Sequence, residues 1–271
     1  MNSKHSVVRV AGLGAVVVLA AWLTSGCGST AKDDTAGWNA DKLYAEAKDD
    51  MSSGGYDRAI KSLERVEGRA AGTLLAQQAQ IDLAYSYWKT GERAQALSTL
   101  DRFIRLNPSS PALDYALYLR GLVNFNDDLG LFGNLSRQDL SERDQQASRD
   151  AYQSFKQLTD QFPQSRYAAD ARTRMDYIVN ALAAYEVHVA RYYYRRGAYV
   201  AAVNRAQQAL LEFQRAPAIE EALFIMARSY DRLGLESLRD DADRVLRQNF
   251  PNSPYLTGEG PPSNRSWWQF W

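Results

Sequence analysis

The stretch QQAQIDLAYSYWKTGERAQALSTLDRFIRLNP, residues 77–108, decides the fold. Two helical periods are written into it, parted by Gly91 and closed by Pro108. Leu83, Ala84 and Tyr87 mark the first helix, and Ala96, Leu100 and Phe103 mark the second. The two small residues let antiparallel helices cross closely, while the large ones fill the groove and seat the next unit. A helix pair of this kind cannot bury its hydrophobic face alone, so it implies neighbours of the same design.

Counted back from Pro108, the spacing resembles a tetratricopeptide repeat of about 34 residues. Related units lie on both sides. Leu43 and Ala47, then Gly54, Tyr56, Ala59, Leu63 and Val66, give a first. Leu117 and Gly121, then Ala151, Phe155, Leu158 and Pro163, give a third, split by an insertion near 127–144. Ala190, Tyr193, Gly197, Tyr199, Ala202 and Ala206 give a fourth; Leu223, Ala227, Tyr230, Gly234, Leu246 and Pro251 give a fifth. Corners recur at Asn107–Pro111, Phe162–Tyr167 and Phe250–Tyr255, each with a proline that ends one helix and a serine two places on that caps the next. A further apolar stripe runs through Ile178, Leu182, Tyr185, Val189 and Tyr193. Strand alternation is absent. The expected fold is all-α, a right-handed α-solenoid of about five repeats over residues 39–255.

The amino terminus reads as an export signal. Lys4 and Arg9 precede an apolar run from Val10 to Leu23, followed by Thr24, Ser25, Gly26 and the lone Cys27. The run falls short of the about 20 apolar residues a membrane span needs. Leu23-Thr24-Ser25-Gly26-Cys27 resembles a bacterial lipoprotein box, with Thr24 where a leucine is usual. The reading is a signal peptide over 1–26, a lipid on Cys27 and a small, polar tether over 27–38. The alternative is an ordinary signal peptide and a free thiol. Gly28, where an aspartate would suggest inner-membrane retention, points to the outer membrane, facing the periplasm. With Cys27 as anchor, no disulfide within one chain is available.

Residues 256–271 change character. Gly258, Gly260, Pro261 and Pro262 form a linker before Ser-Trp-Trp-Gln-Phe-Trp. Aromatics at such density suit a membrane interface, a partner, or a groove on the same protein that a substrate would otherwise fill; the alternative is a plain disordered end.

Composition excludes several classes. The net charge is zero, and removing Lys4 and Arg9 leaves about −2, so no basic excess argues for nucleic acid. Beyond residue 26 one histidine remains, His188, and with Cys27 tethered no zinc set can form. His188 sits mid-helix with no triad motif around it. Asp127-Asp128 and Asp240-Asp241 read as helix caps or solvated pairs rather than glycosidase acids. No phosphate loop or dinucleotide glycine pattern is present. No catalytic residue, metal or cofactor other than the lipid is expected. The run Arg191-Tyr192-Tyr193-Tyr194-Arg195-Arg196 cannot face one core at helical spacing, and tyrosine and arginine favour interfaces. Only seven lysines occur in the chain, so arginine carries most of the positive charge.

Several stretches together are more specific than a generic repeat. Leu100–Pro108, Asp114–Leu122, Phe132-Gly133 with Arg143-Asp144 and Gln146-Ala147, and Tyr193–Arg205 resemble the BamD family. Its members are lipoproteins of the outer-membrane β-barrel assembly machinery. The resemblance covers about residues 38–255. It implies no enzyme activity, docking on the periplasmic domains of BamA, company of other machinery lipoproteins, and contact with the C-terminal targeting strand of unfolded outer-membrane proteins. Carried onto this chain, substrate contact falls near Tyr85, Tyr87 and Arg102, and BamA contact near Arg196, Asn204 and Arg205. Two other functions remain open. A pilotin escorting a secretin ring would share the anchor and the corners. A peptidoglycan-cleaving enzyme on a helical superhelix would need a catalytic acid in a separate globular fold, for which no segment has room.

Overall fold

Five corners of one backbone design end the five helix pairs, four leading into the next pair and the last into a short 3-10 turn. At each, one residue closes a helix by donating its N–H to the carbonyl four places back: Ala70, Asn107, Phe162, Phe213 and Phe250. Its own carbonyl then accepts the N–H three places on, from Thr73, Ser110, Ser165, Ala216 and Ser253, at 2.9–3.1 Å. In four of the five that residue's hydroxyl also accepts a backbone N–H, from Ala76, Ala112, Tyr167 and Tyr255. The sequence reading found three of these corners. It passed over the ones at Thr73, which lacks proline, and at Ala216, which lacks a hydroxyl and has Gln214 where the others place the helix-ending proline.

The structure is a computed structural model that describes residues 35, 37–125 and 142–257. Among the described residues it is all-helical. Five pairs follow one another: α1 (Ala40–Ser52) and α2 (Tyr56–Arg69), α3 (Leu74–Lys89) and α4 (Arg93–Leu106), α5 (Leu113–Asn124) and α6 (Glu142–Gln161), α7 (Ala168–Arg195) and α8 (Tyr199–Glu212), α9 (Ile219–Arg232) and α10 (Glu236–Asn249). A short 3-10 turn, Pro254–Thr257, ends the described chain.

Within four pairs the turn is again one design. Gly54, Gly91, Gly197 and Gly234 sit at φ 70–83°. The next residue's N–H reaches back to the carbonyl of Asp50, Tyr87, Tyr193 or Tyr230. That closure needs the left-handed conformation, which glycine adopts without a Cβ clash. The third pair departs from it, and most of its expected insertion, residues 126–141, lies outside the described residues.

The small residues do what their spacing predicts. Ala47, Ala59, Ala84, Ala96, Ala202 and Ala206 are all fully buried. Closest of all is Gly121 on α5: a Cβ there would stand 2.3 Å from Cε1 of Phe155 on α6. First helices also touch from pair to pair, α1 with α3, α3 with α5 and α7 with α9. The second helices α2 and α4 instead flank an open groove floored by α3. First helices therefore line the inner wall of the solenoid and second helices its outer side.

At 28 residues, about 42 Å, α7 serves two pairs, packing on α6 and then on α8 and α9. Its buried stripe is Ile178, Leu182, Ala183, Glu186, Val187 and Ala190. This corrects the expected stripe: Tyr185, Val189 and Tyr193 lie half-buried at its margin. Small residues and one paired carboxylate take the centre because α8 approaches closely there.

Candidate binding surfaces

The run Tyr85-Ser86-Tyr87-Trp88-Lys89 is divided by helical geometry. At about 100° per residue, Tyr85 shares a face with Trp88 and Lys89, and Tyr87 turns away. Tyr85 looks to the inner wall, where its ring meets Tyr56 at 6.0 Å and Trp88 at 5.9 Å, both edge to face. Lys89 lies over both the Tyr85 and Trp88 rings, 5.6 and 5.2 Å from their centroids. One turn earlier, buried Asp82 accepts from the Tyr44 hydroxyl at 2.7 Å and from Lys48 at 3.2 Å. The wall continues into the third and fourth pairs through Tyr115, Tyr118 and Tyr167, whose rings stand 4.7–5.3 Å apart. There Tyr118 donates to Asp170, which also takes Arg174, each at 2.7 Å. Burial pushes the Tyr115 phenol up to about 12.

Tyr87 and Arg102 meet on the outer side instead. They line the groove between α2 and α4 with Glu64, Glu67, Gln95 and Ser98. Tyr87 donates to Glu64 at 2.7 Å, and burial followed by that bond pushes its phenol up to about 12. Arg102 pairs with Glu67 at 2.9 Å, and Glu67 also takes Gln80. The three residues expected at one substrate site are thus split, Tyr85 on the inner wall and the other two outside. Sequence reasoning missed Tyr44, Tyr56, Asp82, Trp88 and Lys89. The i, i+3, i+4 relation of 85, 88 and 89 was the available signal for the last two.

A second surface lies at the other end of the molecule. Val200, Asn204, Gln207 and Leu211 follow one another along α8 and are all exposed, Val200 at 61% and Leu211 at 70%. Arg196 is exposed at the head of this face, over the ring of Tyr192 at 5.2 Å. Arg205 differs from its expected companions. It pairs at 3.2 Å with Glu186, which is 3% exposed. Alanine at 205 would leave that carboxylate buried without its cation.

His188, on α7, and Asp240 and Asp241, on α10, are among the described residues. No group of three potential metal ligands occurs among them, and no helix there is long and apolar enough to cross a membrane. His188 is exposed on α7. Asp240 pairs with Arg239 and Asp241 with Arg244, both on the surface. Cys27, Asp127-Asp128 and the Trp-rich tail lie outside the described residues.

Comparison with known proteins agrees with this picture. The family described as YfiO, outer membrane lipoprotein, matches residues 37–246. Outer membrane protein assembly factor BamD of Neisseria meningitidis serogroup A is 46% identical over 255 residues, covering 94% of this chain and 96% of that protein. The protein of the same description from Xylella fastidiosa is 36% identical over 249 residues, covering 92% and 85%. Among solved structures, the MamA protein is 14% identical with a TM-score of 0.37, covering 82% of this chain and 96% of that one. That superposition is loose, and the repeat architecture rests on the helices themselves.

Proposed function

This chain belongs to the BamD family of outer membrane protein assembly factors, and from that membership we propose a scaffold that binds at two ends. The family's members assemble outer-membrane proteins and are not enzymes. In the proposed arrangement Cys27 carries the lipid that holds the chain on the periplasmic face of the outer membrane. The inner wall of the first pairs takes an extended segment of an unfolded outer-membrane protein. The outward face of α8, with Arg196, Val200 and Asn204, docks on the periplasmic domains of BamA. Other lipoproteins of the machinery complete the assembly. No covalent step is needed: one surface holds the cargo while the other grips the barrel protein.

The observation that carries this reading is the separation of two unlike surfaces. The inner wall is aromatic and donor-rich. The α8 face is a line of exposed apolar and polar residues on a second helix, which a protein partner would cover. The two lie in the second and fourth pairs, so both can be occupied at once.

The test is recovery of partners from native membranes in mild detergent with tagged protein. A large barrel protein with periplasmic repeat domains is expected with the natural chain, and its loss with Val200→Glu/Asn204→Glu. Recovery of a secretin or pilus protein in its place would overturn the reading in favour of a pilotin. Murein digestion by the purified chain would overturn it in favour of an enzyme.

A further inference from the structure

The two edges of the first two pairs differ. Helices within a pair run antiparallel, so the start of α1, the end of α2, the start of α3 and the end of α4 share the edge where the corners lie. Among the described residues of these pairs, the large apolar side chains that stand exposed are Leu74 and Leu106, at 74% and 62%. Leu74 opens α3 and Leu106 closes α4, so both lie at the corner edge. The opposite edge, turned by Gly54 and Gly91, presents Ser52, Ser53 and Asp57. One exposed leucine is ordinary on a protein surface; two gathered at one edge form a pattern.

Cations accompany them. Arg105 is exposed beside Leu106 and meets no carboxylate among the described residues. Lys42 is exposed as well and lies over the ring of Trp38, 3.9 Å from its centroid. Nearby acids are engaged, Glu67 by Arg102 and Gln80, and Asp114 by Ser165. Asp41 stands exposed next to Lys42.

The chain also enters at this edge. Arg65 donates to the Thr35 hydroxyl, and Arg69 donates to the carbonyls of Thr35 and Trp38, which ties residue 35 to the last turns of α2. Thr35 follows Cys27 by eight residues, a reach of at most about 29 Å at 3.6 Å each. A lipid on Cys27 therefore keeps the corner edge within that distance of the bilayer. A link so short raises the local concentration to about millimolar, at which even a weak surface contact is occupied. Apolar side chains flanked by cations are what binding at an anionic membrane surface uses.

We propose that the corner edge of the first two pairs rests on the bilayer, with Leu74 and Leu106 entering the headgroup region and Lys42 and Arg105 meeting anionic phospholipid headgroups. This rests on the reading that Cys27 is lipidated, and it adds which way round the solenoid stands. An anchor alone holds the chain near the membrane and leaves it free to swivel. The edge contact sets the helices of these pairs upright, with the turns at Gly54 and Gly91 pointing into the periplasm.

The test uses the full mature chain, purified from native membranes and returned to vesicles of phosphatidylethanolamine and phosphatidylglycerol. Mass spectrometry first reads the state of Cys27; a free thiol there overturns both the anchor reading and this one. With Cys27 acylated, a bimane label reports from Leu106→Cys or, at the opposite edge, from Ser53→Cys, and circular dichroism verifies that each chain is folded. Brominated acyl chains are expected to quench the label at 106 about twofold more strongly than at 53. Adding Leu74→Glu to Leu106→Cys should remove most of that difference. Equal quenching at 106 and 53, or none at either, overturns the edge contact while the anchor reading stands. Quenching at 106 that persists in neutral phosphatidylcholine vesicles overturns the role given to Lys42 and Arg105.

Discussion

Arg191 of α7 and Glu221 of α9 meet side on, Nε to Oε1 and Nη2 to Oε2, each at 2.5 Å. The pair joins two first helices across successive repeats. Tyr255, beyond the last α-helix, packs its ring tilted against that of Phe224 at 5.0 Å, and burial together with the Glu221 charge pushes its phenol upward. One carboxylate thus ties the end of the solenoid to its long helix. Arg191→Met leaves Glu221 without its cation at 14% exposure. We expect a loss of about 2 kcal/mol, below the 3–5 typical when a fully buried pair is broken. Adding Glu221→Leu should return most of it. Urea midpoints of the two single and the double variants check this.

Gly121→Ala should destabilise the third pair by about 1–3 kcal/mol, the usual cost of overpacking. The new methyl meets the Phe155 ring, itself fully buried and unable to move aside. Phe155→Leu removes the opposing ring edge. The double variant should therefore lose less than the sum of the two single losses, as thermal unfolding will report.

Arg205→Ala should cost about 3 kcal/mol through the stranded Glu186 carboxylate. Glu186→Gln in the same chain should recover most of that loss. A loss of BamA recovery that persists in the refolded double variant would then belong to contact by Arg205, and a loss that vanishes would belong to stability alone.

Alkali should loosen the first three pairs before the helices themselves are affected. The folded values of Tyr87 and Tyr115 stand at about 12 against an ordinary 10.0. The folded chain therefore holds these protons more tightly than the unfolded chain. Their contribution is complete below pH 10 and is lost as pH rises from about 10 to 12. Tyr87→Phe and Tyr115→Phe should each make the fall of the urea midpoint with pH shallower over that window. An unchanged slope would remove the linkage.

Regular features of the fold were legible in the sequence because each is local. Ala84, Ala96, Leu100 and Phe103 read as buried, and they are. Gly91 reads as a turn, and its φ of +83° requires one. The Ala216 corner escaped because backbone bonding alone makes it. The stripe on α7 was misread because aromatic residues outweigh alanine in any periodicity count, whereas close helix approach rewards the alanine. The binding surfaces were legible only in part. Tyr85 and Tyr87 look alike in a sequence, and only the curvature of the stack decides which of them faces inward. Arg205 looks like an interface residue until its partner Glu186, nineteen places earlier, is seen.

Hydrogen exchange should be uneven along the chain. The buried apolar residues of α5 to α10 form one continuous cluster running from Leu113 to Leu246. Those of the first two pairs, with Ala116, Leu119 and Val123 from the other face of α5, fall into two smaller ones, Leu43 to Leu83 and Ile81 to Val123. Opening of a repeat costs its own burial and one or two interfaces. Amides of α1 and α2 should exchange faster than those of α7 and α9 by at least tenfold, and equal protection would argue for a single cooperative unit.

The span of α7 across two pairs has a mechanical meaning. It acts as a girder beneath the second half of the molecule, so whatever takes hold of the last repeats grasps a stiff handle. The first two pairs hang from that handle as a pliant cup, able to open and close around a chain while the grip behind it stays still.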